Sequence, residues 1–172
     1  FVDDLLAAGI RPLVTLYHWD FPWGLFEQGG WHNRDVAGWF ADYASAVFQA
    51  LGDRVDTFVT INEPQIDLLL MDLLAEKARD GAADPTALTS ADLARQAPAM
   101  HNLARANAAA VAAYRALGLG GTIGIALPLY PTIPMDPERP EDVAAAHLLD
   151  GLMNRWLLDA VFRGSYPEDV IA

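Results

Sequence analysis

The chain has 172 residues, of which 53% are hydrophobic, so it can bury a sizeable core and is not generally disordered. It carries 23 acidic against 11 basic residues, and its formal net charge of −12 disfavours nucleic acid and anionic membrane surfaces as partners. Because it has no cysteine, disulfides, thiolate catalysis and cysteine-ligated metals are excluded within the chain.

The N-terminal part of the chain alternates between helical and extended patterns. Residues 1–9 predict a helix that a glycine ends, and the apolar run at 13–18 predicts a buried strand. The prolines and glycines between residues 21 and 31 predict a loop that carries several aromatic side chains. An apolar repeat with a spacing near 3.6 residues then predicts a helix from about 35 to 51.

The next apolar run, at residues 57–62, leads directly into polar groups. It has no polar alternation, as expected of a strand that is covered on both faces. Pro64 biases the residue before it toward an extended backbone, so we expect the strand to persist up to Glu63. Asn62 and Glu63 would then lie at the carboxyl end of a buried strand, where ligands bind in parallel α/β folds.

The remainder of the chain continues the same alternation. A leucine-rich helix is predicted at 65–79, a loop at 80–85, and a long alanine-rich helix from Ser90 to about 117. An internal proline is expected to interrupt or kink this long helix. A third buried strand follows at 122–127, and after a proline-rich loop a last helix starts near 141.

This order of elements predicts the α/β class, with one parallel sheet whose strands lie near 13–18, 57–62 and 122–127. Parallel strands that are joined by helices end at the same edge of the sheet. No run approaches 18 apolar residues, so we expect no transmembrane helix. We separately expect a cytoplasmic location. The predicted strands end in polar and aromatic residues: His18-Trp19-Asp20, Asn62-Glu63 and Pro128-Leu129-Tyr130.

A carboxyl group beside an amide at the mouth of an apolar sheet suits general acid chemistry. Burial and a second nearby carboxylate both favour the protonated form of such a group. His18 and Asn62 can hydrogen-bond sugar hydroxyls, and tryptophans offer flat faces for sugar rings: Trp19, Trp23 and Trp31. The simpler alternative makes His18 a hydrogen-bonded core histidine and Glu63 a surface carboxylate.

Metal and cofactor sites are not expected. The sequence has no His-Glu-x-x-His motif or comparable ligand cluster. Its glycine-rich run at 118–124 follows a predicted helix and precedes a strand, which is the reverse of a dinucleotide-binding loop. We interpret that run as the end of a helix.

Several linked motifs resemble glycoside hydrolase family 1, in the order and spacing of that family. The resemblance covers nearly the whole chain, and the set of motifs makes it more specific than Asn-Glu-Pro alone. The matching segments are Leu16-Tyr17-His18-Trp19-Asp20, Gly29-Gly30-Trp31, Tyr43-Ala44, Gly52-Asp53-Arg54-Val55, Thr60-Ile61-Asn62-Glu63-Pro64, Asp150-Gly151, Asn154-Arg155-Trp156, Gly164 and Tyr166-Pro167.

The resemblance implies a retaining β-glycosidase, similar to β-glucosidases, on a (β/α)₈ TIM barrel that needs no cofactor and acts on a small carbohydrate substrate. Glu63 resembles the general acid/base that protonates the leaving oxygen. Asn62 resembles the partner of the sugar 2-hydroxyl, and His18 and Trp19 resemble the residues that hold the other glycone hydroxyls.

The family's nucleophile lies in a Thr-Glu-Asn-Gly motif, which this chain does not contain. We therefore expect residues 1–172 to form a single partial-barrel domain, an interior portion that is inactive alone. The alternative is a degenerate, non-catalytic sugar-binding or scaffold half-barrel. It is motivated by the segment after Pro64, which departs from the usual pattern of the family. Unpaired strand edges of a half-barrel would favour self-association.

Overall fold

The computed structural model describes residues 1–81, 84 and 89–171. These residues form two compact units, Phe1–Ala126 and Leu127–Ala172, which are described separately below. The loop predicted at 80–85 lies partly outside the described residues. The assignment of the whole chain to a single domain stays a prediction.

The first unit contains a three-stranded parallel sheet, as predicted. Strand β1 is Leu13–Tyr17, β2 is Thr57–Asn62 and β3 is Thr122–Ala126. β2 lies in the middle, with Leu13 opposite Thr57 on one side. The predicted α/β class with one parallel sheet is therefore confirmed.

Burial is uneven across this sheet. β2 has three buried residues, whereas β3 has none. The prediction of a buried third strand is therefore wrong for the described residues. The physical reason is position, because β3 is an edge strand there and β2 is flanked by strands on both sides. Self-association through the outer edges of β1 and β3 stays a prediction.

The predicted helices of the first unit are present, with local differences. The predicted loop at 21–31 contains a short helix and a 3₁₀ turn, and the leucine-rich segment is a helix with a π-helical middle. The elements are α1 (Val2–Ala7), α2 (Trp23–Phe26), the 3₁₀ turn Gly30–His32, α3 (Val36–Leu51), α4 (Pro64–Ile66), the π-helical segment Asp67–Leu74, α5 (Ala75–Arg79) and α6 (Ser90–Ala116).

Helix α6 differs from its prediction in two details. Its cap is Thr89 rather than Ser90, because the Thr89 hydroxyl accepts from the Asp92 backbone N–H while the Asp92 carboxylate accepts from that of Thr89. Pro98 lies inside the helix without interrupting it, while a kink at this proline stays a prediction.

Helices α3 and α6 pack together and against the sheet to make the core of this unit. Phe48 of α3 lies edge-on to Phe58 of β2, with ring centroids 5.1 Å apart, and equally close to Tyr114 of α6. Small residues at the helix contact allow close approach, since Ala44 and Ala106 are fully buried. This packing holds β2 in place, and with it the residues at the carboxyl end of the strand.

The second unit is helical, with α7 at Pro140–Asp150, a π-helical segment at Gly151–Arg155, α8 at Trp156–Phe162 and α9 at Glu168–Ile171. Arg155 donates to Asp150 at 2.7 Å and to both carboxylate oxygens of Asp169, so one guanidinium ties the π-helical segment to α9. Asn154 donates to the Tyr130 carbonyl and accepts from its N–H, which holds the preceding loop.

No described helix in either unit has the length and apolar content that a membrane span requires.

The junction before β3 allows a test of the sheet. A side chain at Gly121 would collide with the Asp56 backbone, whose carbonyl accepts from the Thr122 N–H. We expect Gly121→Ala to lower the free energy of unfolding by about 1–3 kcal/mol. Gly120→Ala is the matched control, because its side chain would meet open space. Equal urea midpoints for the two variants would contradict this account of the junction.

Candidate active site

Three of the four predicted site residues meet where β1 and β2 end. The Asn62 Nδ2 and His18 Nε2 atoms lie 3.2 Å apart, and the Trp19 Nε1–H donates to the Asn62 carbonyl oxygen at 2.9 Å. The imidazole is exposed, unlike a core histidine, and the Trp19 and Asn62 side chains are half-buried. This arrangement places an imidazole and an amide side by side at the carboxyl edge of the sheet.

Glu63, the fourth predicted residue, follows β2 directly and has a half-buried side chain. Its backbone is left-handed, with φ 45° and ψ 56°, so the expected extended conformation is wrong. The reason is that Pro64 begins helix α4, and the chain turns at Glu63 to enter it. The Glu63 N–H donates to the Ala126 carbonyl at 2.9 Å, which fastens this turn to β3.

Backbone strain is concentrated at this edge. Within the described part of the chain, the non-glycine residues with positive φ are Trp19 and Glu63. Such conformations cost on the order of 1–3 kcal/mol and persist where the surroundings over-determine them, often at functional sites. Both residues lie within two positions after a strand of the same sheet, so the strain coincides with the predicted site.

A buried polar cluster beside the site was not anticipated. The Asp67 Oδ2 atom accepts from the Tyr17 hydroxyl at 2.8 Å and from the Trp31 indole N–H at 3.2 Å. Trp31 is 7% exposed, so its expected role as a sugar-stacking surface is wrong, because its ring packs among other aromatics instead. The sequence offers one signal of this cluster, which is a carboxylate four residues after Glu63 within a leucine-rich run.

Burial governs the titration of this cluster. Desolvation raises the pKa of Asp67, although the hydrogen bonds from Tyr17 and Trp31 oppose that effect. Desolvation also raises the pKa of Tyr17, and the negative charge of Asp67 raises it further. Tyr17 therefore stays a neutral donor. Asp67 is the acceptor that links β1, through Tyr17, to the 3₁₀ turn, through Trp31.

An aromatic cleft adjoins the cluster, since Tyr17, Trp31 and Asp67 all line it. Trp23, which is 69% exposed, stacks on Phe26 with ring centroids 5.4 Å apart, so its predicted availability for a sugar ring is compatible with the structure. His32 and Asp72 also line the cleft, and His32 Nε2 lies 2.9 Å from Asp72 Oδ2. No group of three or more metal-ligating side chains occurs among the residues that the structure describes.

Comparison with known proteins gives one consistent family. The sequence model of the family described as Glycosyl hydrolase family 1 matches residues 1–172. Beta-glucosidase A from Enterobacter agglomerans is 42% identical and beta-glucosidase A from Thermotoga maritima 37% identical, each over 99% of this chain and 36% of the relative. The chain thus spans about a third of the length of these relatives.

Solved structures agree with the sequence relatives, and they confirm the predicted partial TIM barrel. The structure of a psychrophilic beta-glucosidase from Micrococcus antarcticus is 44% identical with a TM-score of 0.85, covering 99% of this chain and 34% of that one. A beta-glucosidase from Thermotoga maritima in complex with deoxynojirimycin is 37% identical with a TM-score of 0.82, covering 99% and 36%.

The His32–Asp72 pair generates a pH prediction. The hydrogen bond to Asp72 raises the pKa of His32 despite the opposing effect of burial. A histidine whose folded pKa is raised stabilises the fold fully below its unfolded pKa, near 6.5, and this stabilisation is lost as pH rises through the folded value. We therefore expect His32→Gln to destabilise the protein more at about pH 5.5 than at about pH 8.5.

Urea unfolding at the two pH values measures this difference, with Asp72→Asn as the matched partner variant. Both variants should lower the unfolding midpoint mainly at the lower pH. Equal losses at both pH values would exclude an ionic contribution from the pair.

Proposed function

The chain belongs to glycosyl hydrolase family 1, and we propose that it carries the acid/base half of a β-glucosidase active site. The observation that supports this most is the meeting of His18, Trp19 and Asn62 at the carboxyl edge of the sheet, next to Glu63. In barrels of this kind catalytic residues lie at the ends of several strands. The names of the relatives, beta-glucosidases, point to terminal β-linked glucosides as the substrate class.

Glu63 is the general acid of the proposed reaction. It protonates the glycosidic oxygen as the bond to the anomeric carbon breaks, so the aglycone leaves as a neutral alcohol. After glycosylation the same carboxylate removes a proton from the water that attacks the anomeric carbon. The proton that Glu63 donates is thereby recovered. The configuration is retained because the anomeric carbon undergoes two displacements, first by the nucleophile and then by water.

Retention requires a second carboxylate as nucleophile, about 5–5.5 Å from the first. The chain lacks a Thr-Glu-Asn-Gly motif, so we assign the nucleophile to sequence beyond these 172 residues and expect the isolated chain to be inactive. The covalent intermediate would form on that second carboxylate, which displaces the protonated aglycone.

The neighbouring side chains hold the sugar. Asn62 donates to the 2-hydroxyl, a contact that strengthens as positive charge develops at the anomeric carbon. His18, which lies 3.2 Å from the Asn62 side chain, binds an adjacent hydroxyl. The Trp19 ring supports the sugar, while its N–H donates to the main-chain carbonyl oxygen of Asn62. A solved relative binds deoxynojirimycin, a sugar-like compound, which supports a small carbohydrate substrate.

The principal test removes the acid. In the complete protein, Glu63→Gln should lower kcat/KM for an alkyl β-glucoside by about 10³-fold or more, because the amide cannot donate the proton. Glu27→Gln is the matched control, since it changes an exposed glutamate of the same unit and should retain activity. Undiminished turnover in Glu63→Gln would refute the assignment, and an inactive wild-type protein would favour the non-catalytic alternative.

The role of Asn62 has a separate test. Asn62→Ala should lower kcat/KM for a nitrophenyl β-glucoside by about 10- to 100-fold, because a contact worth more in the transition state is lost. The 2-deoxy analogue lacks the hydroxyl that Asn62 binds, so its hydrolysis should change little. A similar loss on both substrates would show that Asn62 does not act through the 2-hydroxyl.

A further inference from the structure

We propose that Asp67 is a positioning residue for Glu63: its buried carboxylate ties the turn that carries the acid to β1 and to the 3₁₀ turn at Trp31. The inference rests on the proposed function, because it concerns how Glu63 is held during proton transfer. It adds a specific residue that neither touches the sugar nor moves a proton.

The evidence begins with the backbone of the turn. The Glu63 carbonyl oxygen accepts from the Ile66 N–H at 3.0 Å and from the Asp67 N–H at 3.1 Å. Asp67 is thus the residue that closes the first helical turn after the acid. On the opposite side, the Glu63 N–H donates to the Ala126 carbonyl at 2.9 Å. The position of Asp67 is therefore coupled to the main chain of Glu63 through a direct hydrogen bond.

The side chain of Asp67 anchors that turn. It is 5% exposed, and its Oδ2 atom accepts two hydrogen bonds from groups outside its own helical segment. Tyr17, the last residue of β1, supplies the hydroxyl at 2.8 Å, and Trp31 supplies the indole N–H at 3.2 Å. Tyr17 and Trp31 also contact each other at 3.3 Å, so the three groups form a closed triangle.

Glu63 needs such an anchor because its backbone is strained. A glutamate at φ 45° lies in the left-handed region, which a non-glycine residue occupies only where the surrounding structure enforces it. Two strands enforce it here, β3 through Ala126 and β1 through Tyr17 and Asp67. Without the carboxylate, β3 and the helix alone hold the turn, and the acid has more freedom to move.

Direct catalysis by Asp67 is a weaker explanation. Its buried oxygen already accepts from two donors, and the residue lies one helical turn beyond Glu63 on the side of β1. A positioning role predicts a selective effect on chemistry. Departure of an alcohol needs full protonation by Glu63, whereas departure of dinitrophenolate needs little. A displaced Glu63 should therefore harm the first reaction much more than the second.

The experiment uses the complete protein and compares kcat/KM for methyl β-glucoside and for 2,4-dinitrophenyl β-glucoside. This parameter covers the steps through departure of the first leaving group. Asp67→Leu should lower it about 10²-fold for the methyl glucoside, as expected of a misplaced catalytic group, and less than about threefold for the dinitrophenyl glucoside. Asp67→Asn keeps an acceptor oxygen and should restore most of the loss.

Two further variants separate positioning from general stability. Tyr17→Phe removes the shorter bond to Asp67 while keeping the ring, so it should cause a smaller loss with the same selectivity. Asn107→Leu is the matched control, because Asn107 is also buried and pairs with Thr60 of β2 at 2.7 Å. It should lower the unfolding midpoint without changing the ratio between the two substrates.

An unchanged substrate ratio in folded Asp67→Leu and Tyr17→Phe would overturn the inference. If Asp67→Leu does not fold, the ratio in Tyr17→Phe decides alone. Glu63→Gln, measured in parallel, distinguishes the two levels of failure. A selective loss in Glu63→Gln without one in the Asp67 and Tyr17 variants refutes only the positioning role. No selective loss in Glu63→Gln refutes the proposed function itself.

Discussion

The site depends on the parallel pairing of β2 between β1 and β3. Because the three strands run in the same direction, their carboxyl ends meet at one edge, and residues far apart in sequence become neighbours there. His18 and Asn62 are separated by 44 positions, yet their side chains lie 3.2 Å apart. The core of α3 and α6 contributes indirectly, because it holds β2 in place beneath that edge.

Strain and its support are arranged around the same strand ends. Trp19 and Glu63 both have positive φ values, and both are held by hydrogen bonds to neighbouring strands. Trp19 donates to the Asn62 carbonyl, and Glu63 donates through its N–H to Ala126. Strained residues held in this way are pre-organised, so little reorganisation is required when a substrate binds. The buried Asp67 extends this support from the strands to the first helical turn after Glu63.

Much of the fold followed from pattern alone. The strands near 13–18, 57–62 and 122–127 were predicted within one residue or so, because short apolar runs bounded by glycine and proline are clear signals. The polar ends of these strands identified the candidate site for the same reason. Two of the errors were local. Thr89 caps α6 in place of Ser90, and the predicted loop at 21–31 contains a helix. Such details depend on side-chain geometry that spacing does not reveal.

The sequence by itself determined the strand order along the chain, the candidate acid Glu63 and its neighbours His18, Trp19 and Asn62. Only the tertiary structure decided that Trp31 is buried, that Glu63 turns left-handed, and that Asp67 bonds to Tyr17 and Trp31. The physical reason is that local patterns report which residues prefer burial or extension. Hydrogen bonds between residues 36 or 50 positions apart exist only after the strands have paired and the helices have packed.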